Sequence, residues 1–471
     1  MKKENIWMTY DEKENDELHN TCELYKSWLD RAKTERECVD LVTELAKEAG
    51  YHELGEYLEG RREIRAGEKI YVTCMKKCIA LFRMGEKPIS EGMNILGAHI
   101  DSPRIDVKQN PVYENEGFAY LDTHYYGGIK KYQWVTQPLA LHGVVAMKDG
   151  HCVNISIGEK ADEPVFVITD LLVHLASQQM DKKAGEVIEG EKLDLLIGNC
   201  PIDKDENLQE AEKEAVKANV LSILEKSYGI SEEDFASAEL EIVPAGKARD
   251  LGLDRSMILA YGQDDRICAF TSVMAMLNVK NSSRSACCLL VDKEEIGSVG
   301  ATGMHSRFFE NMVAELIALT EGESDLKVRR ALAGSKMLSS DVSAAYDPLF
   351  ADVFEKRSAA FLTKGLAFNK FTGSRGKSGS NDANAEYLGE IRRMMEEAGV
   401  AYQFAELGKV DVGGGGTIAY IMANYGMDVI DSGVAVLNMH APYEVSSKSD
   451  IYQAVKGYEA FLKWGCECER L

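Results

Sequence analysis

The 471-residue sequence holds 11 cysteines but no C-x-x-C pair. Thiolates at that spacing mark structural zinc sites and dithiol redox centres, so neither is expected. The cysteines are scattered through helix-like and strand-like segments, as the buried reduced thiols of a cytoplasmic protein would be. No stretch approaches the ~20 apolar residues of a membrane span. The opening "MKKENIWMTYDEKENDELHN" begins with Lys2 and Lys3 but has no apolar segment of a signal peptide. Basic charge is also scarce: 54 Lys and Arg against 77 Asp and Glu give a formal net charge of -23. That balance argues against nucleic acid or an anionic membrane as a partner. A G-x-S-x-G nucleophile elbow is absent. The stretch "GSRGKS" at 373–378 would need glycine at 371 to be a phosphate loop, and Phe371 stands there.

What is present is enough apolar material, 45% of residues, to bury a sizeable core. Residues 10–60 are charged, with apolar positions at helical spacing in "CELYKSWLDRAKTERECVDLVTELAKEAGY". "MNILGAHIDSPR" reads as a short buried strand ending in a polar turn. Between 105 and 247 the character changes to alternating strand-like pieces (Val144–Met147, Val153–Ile157) and charged helices such as "ENLQEAEKEAVKANVLSILEKSYG". From 255 onward strands alternate with helices, which suggests an α/β sheet that is at least partly parallel. The expected organisation is one catalytic α/β domain, 1–104 plus 248–471, interrupted by an inserted β-rich domain at 105–247. There is no internal repeat.

Acidic and histidine side chains recur where these elements end. "GAHIDSPR" offers His99-x-Asp101, in which Asp101 can hold the second ring nitrogen of a metal-binding histidine; by itself the pair is as readily a hydrogen-bonded strand end. "YGQDDRICAF" places Asp264-Asp265 before an apolar helix, where they serve either as helix caps or as a carboxylate bridge between metal ions. "CLLVDKEEIGSVGATGM" runs a buried strand into Glu294-Glu295 and a glycine-rich turn. A metal site that hydrolyses a bond needs a ligand and a separate general base, and adjacent carboxylates can divide those roles. "LSSDVSAAYDP" ends a short run at Asp341, and "VLNMHAPYE" ends another at His440. Ligands gather at the carboxyl ends of strands in α/β sheets. Two histidines with several carboxylates suit a pair of zinc-like, cobalt-like or manganese-like ions.

The ordered set "GAHIDSPR", "GQDDR", "DKEEIGSVGATG", "SSDVSAAYDP", "GGGGTI" and "NMHAPYE" closely resembles the M18 family of metalloaminopeptidases, whose best-known members are aspartyl aminopeptidases. The match spans roughly residues 95–445, including the long gap between the first two motifs. The resemblance implies two divalent ions, zinc first, with cobalt or manganese as alternatives. His99 and Asp341 would bind one ion, Glu295 and His440 the other, and Asp264 would bridge them. Glu294 would be the general base, Asp101 would orient His99, and Asp265 would help to fix its turn. It implies a mixed, mostly parallel sheet flanked by helices, and a dimerisation role for the inserted domain. In that domain a histidine of a "LAIHL"-like helix reaches a neighbouring subunit's site. The local match "LLVHLASQ" makes His174 the candidate. Assembly into dodecamers built from dimers is implied as well.

Two departures bear on specificity. Family members usually carry histidines after the metal-binding aspartate, whereas Asp341 is followed by Val-Ser-Ala-Ala-Tyr-Asp-Pro. Aspartyl-specific members place a lysine where "GLAFNK" has Ala367, with Lys370 and Lys377 as the nearest substitutes. Strict Asp/Glu specificity is therefore not expected, and a neutral or broader N-terminal preference stands beside an acidic one. The substrate would be a peptide with a free α-amino group. The glycine run Gly413–Gly416 with Thr417 would bring backbone N–H groups near it. The serious alternative is a related dinuclear hydrolase, a deacylase or carboxypeptidase.

Overall fold

Seven consecutive buried residues, Met93–His99, form the central strand of the larger sheet. Strands this uniformly buried are covered on both faces, and their side chains alternate between two separate cores. Met93 and Ile95 enter one core, while Leu96 and Ala98 enter the other. Ser285–Val291 does the same: Cys287, Leu289 and Val291 face the first core, and Ala286, Cys288 and Leu290 the second.

The computed structural model describes residues 4–202 and 214–465. The chain forms two units. The first comprises Met1–Asp101, Ala248–Met439 and Glu444–Leu471, and the second comprises Ser102–Lys247 with His440–Tyr443.

In the first unit a nine-stranded sheet is ordered by strands starting at residues 52, 69, 78, 285, 93, 336, 428, 366 and 402. Most neighbours are parallel, with antiparallel exceptions at 69/78, 78/285 and 428/366. This is the expected mixed, mostly parallel α/β sheet. Glu12–Arg31, Gln263–Asn278 and Lys448–Lys463 cover one face, while Phe308–Glu321 and Asp325–Gly334 cover the other.

The helical spacing near the N-terminus resolves into two helices, Glu12–Arg31 and Glu35–Glu48. Each begins with a capping box, Asp11 with Glu14 and Thr34 with Glu37. A good N-cap stabilises by ~1 kcal/mol. Leu18, Cys22, Tyr25, Trp28 and Leu29 form the buried stripe of the first. Burying each large apolar side chain contributes about 1.5–3 kcal/mol.

A smaller five-stranded sheet in the same unit joins Arg249–Leu251, Met257–Ala260, Glu444–Ser447, Ala435–Leu437 and Ser343–Ala344.

The second unit is built on a six-stranded antiparallel sheet. Its order is Cys152–Ile157, Leu139–Ala146, Ala238–Pro244, Arg104–Asn115, Phe118–Tyr126, Leu195–Gly198. The helix Ala215–Tyr228 accounts for the described end of the charged helical stretch, and residues 206–213 of that stretch lie outside the described residues. Among the described residues no helix is long and apolar enough to cross a membrane.

Candidate metal centre

Three neighbouring parallel strands of the large sheet end side by side: Ser285–Val291, Met93–His99 and Lys336–Ser340. At or just beyond their ends lie Glu294 and Glu295, His99 (the last residue of its strand), and Asp341 respectively. Polar groups concentrate here because the apolar strands stop.

His99 is fully buried as the last residue of its strand. Its Nε2 faces Asp264 Oδ1 at 3.2 Å, and its Nδ1 faces Asp101 at 3.3 Å to Oδ1 and 3.0 Å to the main-chain oxygen. Asp101 is not on the strand, as simple i, i+2 alternation would have it. It follows the strand end and folds back towards the ring. Its carboxylate also accepts the backbone N–H of Glu294 at 3.1 Å and of Glu295 at 3.2 Å.

The turn carrying the two glutamates starts earlier than its glycines suggest. Lys293 already adopts φ +68°, ahead of Gly297 at φ +98°. An L-residue is uncommon in that region, and here Asp292 holds it in place. The carboxylate of Asp292 accepts the Lys293 backbone N–H at 2.8 Å and pairs with its ammonium at 3.0 Å. Glu294–Ile296 then forms a single 3₁₀ turn.

Asp264 and Asp265 do not cap a regular helix start. Gly262 occupies the cap position, both aspartates have non-helical backbone angles, and the peptide bond between them is cis. The Asp264 N–H donates to Glu444 Oε2 at 2.9 Å. Glu444, the last residue of the "NMHAPYE" motif, had no role assigned from sequence. Gln263 reinforces the same connection by donating to the Glu444 carbonyl at 2.7 Å.

Ligand atoms of His99, Asp265 and Asp341 lie within 4.8 Å of one another, as do those of His99, Glu294 and Glu295. The electrostatics are those of crowded acids. Burial, followed by the neighbouring Asp264, pushes the Asp265 carboxyl well above the usual range despite His99. Burial and Asp265 do the same to Asp341. Burial opposes a charge on His99, but hydrogen bonds to Asp101 and Asp264 raise it. Several oxygen donors and one imidazole converging on a small volume suit a divalent cation of the zinc type, which would offset the carboxylate repulsion.

His440 lies beyond the strand Ala435–Leu437. Asn438 and His440 both take positive φ, +61° and +65°. The histidine is grouped with the second unit, where its Nδ1 is 2.9 Å from the Gly128 carbonyl oxygen. A metal-binding histidine is commonly oriented in this way through its other ring nitrogen.

The profile of aminopeptidase I zinc metalloproteases (M18) matches residues 28–462. The chain is 56% identical to the probable M18 family aminopeptidase 1 of Clostridium acetobutylicum, over 97% of either chain. It belongs to the M18 family. The crystal structure of an M18 aminopeptidase from Thermotoga maritima superposes with a TM-score of 0.93 at 42% identity, covering 98% of this chain and 99% of that one. The fold extends to the S. cerevisiae mApe1 dodecamer, at 19% identity and TM-score 0.75, covering 95% of this chain and 97% of that one. The protein is thus a metal-dependent aminopeptidase.

The remaining M18 candidates are placed less uniformly. His174 sits on a 3₁₀ turn, Val173–Leu175, rather than in the family's helix. The apolar neighbours that would face a core in a helix are exposed here, Val173 by 78% and Leu175 by 69%. Ala367 is fully buried in the strand Leu366–Asn369. Lys370 is exposed. Lys377 pairs with Asp382 at 3.0 Å and lies over the Phe371 ring at 4.0 Å.

Sequence reasoning missed Asp431. Its carboxylate accepts the Thr417 hydroxyl at 2.5 Å. Burial pushes it up to about 7, the Thr417 hydrogen bond pulls it back, and the nearby charge of Glu294 raises it further.

Proposed function

We propose that this M18 aminopeptidase works with two divalent ions and uses Glu294 as its general base. The observation that carries this reading is the convergence of His99, Glu294, Glu295 and Asp341, at the ends of three adjacent strands, with Asp264 and Asp265 from the start of the helix Gln263–Asn278. By the family resemblance, His99 and Asp341 would hold one ion and Glu295 and His440 the other, with Asp264 shared between them. Zinc is the first expectation, consistent with the family's description, and cobalt or manganese can replace it. Bound ions supply Lewis-acid polarisation of the scissile carbonyl and of the attacking water.

The protein's own groups do the rest. Glu294 takes a proton from the water and delivers it to the leaving amine. Asp101 fixes the His99 ring and holds the turn that carries Glu294. Asp265 keeps the break before its helix in shape. The peptide enters with a free α-amino group. Ala367 is buried where aspartyl-specific members carry a lysine, and of the two nearest substitutes Lys377 pairs with Asp382 while Lys370 is exposed. A neutral or broader N-terminal preference fits this arrangement as well as an acidic one.

Assembly belongs to the same reading. The apolar side chains Leu171, Leu172, Val173, Leu175 and Met180 are exposed around His174, and the distant yeast relative is a dodecamer. The second unit serves as the dimerisation domain of a homo-oligomer, and His174 reaches a neighbouring subunit's site. Operation in the cytoplasm is part of this reading.

A panel of dipeptides with free and N-acetylated termini tests it against the deacylase and carboxypeptidase alternatives. Hydrolysis confined to free amines is expected. Preference for the blocked peptides overturns the assignment.

A further inference from the structure

We propose that Thr417 and Asp431 form a latch that positions the glycine segment Gly413–Gly416 as a wall of the substrate site, with Asp431 a positioning residue. The inference rests on the aminopeptidase reading above.

Asp431 is buried in the strand Asp428–Gly433, in register with Ser339 of the strand that leads to Asp341. The next residue, Ser432, accepts the Asp341 N–H at 2.9 Å. The Thr417 hydroxyl donates to Asp431 Oδ1 at 2.5 Å while accepting the Ala419 N–H at 3.3 Å, so its proton is directed. Asp431 Oδ2 is buried without a hydrogen-bond partner among the described residues. Buried polar atoms are nearly all hydrogen-bonded in native folds, so this one calls for an explanation. Ile418 brings Cδ1 to 3.5 Å from where a Cβ on Gly97 would lie, two residues before His99. The end of the glycine segment is thereby fixed over the strands that carry His99 and Asp341.

The start of the segment is fixed separately. A Cβ on Gly413 would lie 2.2 Å from the Leu407 oxygen, and one on Gly414, at φ +132°, 2.6 Å from Ser374 Cα. The Gly415 N–H donates to the Thr372 oxygen at 3.0 Å. Held at both ends, the segment keeps one backbone path. Gly415 itself opens onto free space, with nothing within 4 Å of a Cβ placed there.

The test uses the metal-loaded enzyme and an aminoacyl anilide. Thr417→Val keeps the volume but removes the donor. It should raise KM at least ~10-fold while kcat and metal content stay within about threefold, the signature of lost binding common to ground and transition states. Thr417→Ser restores the hydroxyl and should return KM to within about twofold of wild type. Gly415→Ala meets no neighbouring atom, so it should preserve Tm and raise KM at least ~5-fold. It also keeps the inference testable if Thr417→Val fails to fold. An unchanged KM in folded Thr417→Val, or in Gly415→Ala, overturns the latch. If wild type still cleaves free-amine substrates and depends on Glu294, that failure leaves the aminopeptidase reading standing.

Discussion

The carboxylate of Asp101 accepts the backbone N–H of Glu294 at 3.1 Å, across 193 positions of sequence. The same side chain receives Glu295 N–H through its other oxygen and faces Nδ1 of His99. One buried aspartate therefore ties two strand ends together. Its orientation sets both a histidine ring and the turn bearing two glutamates.

Asp101→Asn should be more damaging than an isosteric change suggests. Both carboxylate oxygens act as acceptors, so one of the donors must meet an amide nitrogen. Loss of such an outer partner typically costs about 10–100-fold in metal affinity or activity. A decrease of that order is expected in both metal titration and anilide hydrolysis. Wild-type values for both would remove Asp101 from the support of the site.

A second buried acid gives a stability prediction away from the metal cluster. Asp450 accepts the N–H groups of Thr363 at 2.7 Å and Gly365 at 2.8 Å. Burial nevertheless pushes it from 3.8 up to about 7, with those hydrogen bonds pulling it back. Between these values the folded chain keeps a proton that the unfolded chain has released. Stability from this group is thus full below about pH 4 and is lost as pH rises through about 7. Relative to Asp450→Asn, wild type should lose ~3 kcal/mol between pH 5 and pH 8 in chemical denaturation. A difference that does not change with pH would contradict the shift.

Much of the sheet was legible because its strands are uninterrupted apolar runs. "NILGAH" and "CCLLV" read as buried strands, and the polar residues that stop them mark the sheet's edge. What was not legible depends on distant partners. Nothing local to Asp101 announces the Glu294 turn, and nothing near Asp431 announces Thr417. The glycines after Glu295 are the visible turn signal, yet Lys293 makes the first left-handed step because Asp292 grips it. Asp264-Asp265 reads from sequence as either helix caps or a metal-bridging carboxylate, and neither reading announces that Glu444 holds the chain there in a non-helical break. The motif around His174 suggests a helix, yet His174 sits on a 3₁₀ turn between exposed apolar residues, and the short helix Ser177–Met180 begins only after it.

The most direct test of the account is Glu294→Gln, prepared metal-replete, with metal content and hydrolysis of a free-amine anilide measured on the same sample. General-base catalysis contributes roughly 10²–10⁴-fold. A fall in kcat of that order with metal content unchanged is the predicted result. Near-full activity with the metal content unchanged would contradict the general-base role, and loss of the metal would show that Glu294 and Glu295 have been assigned each other's jobs.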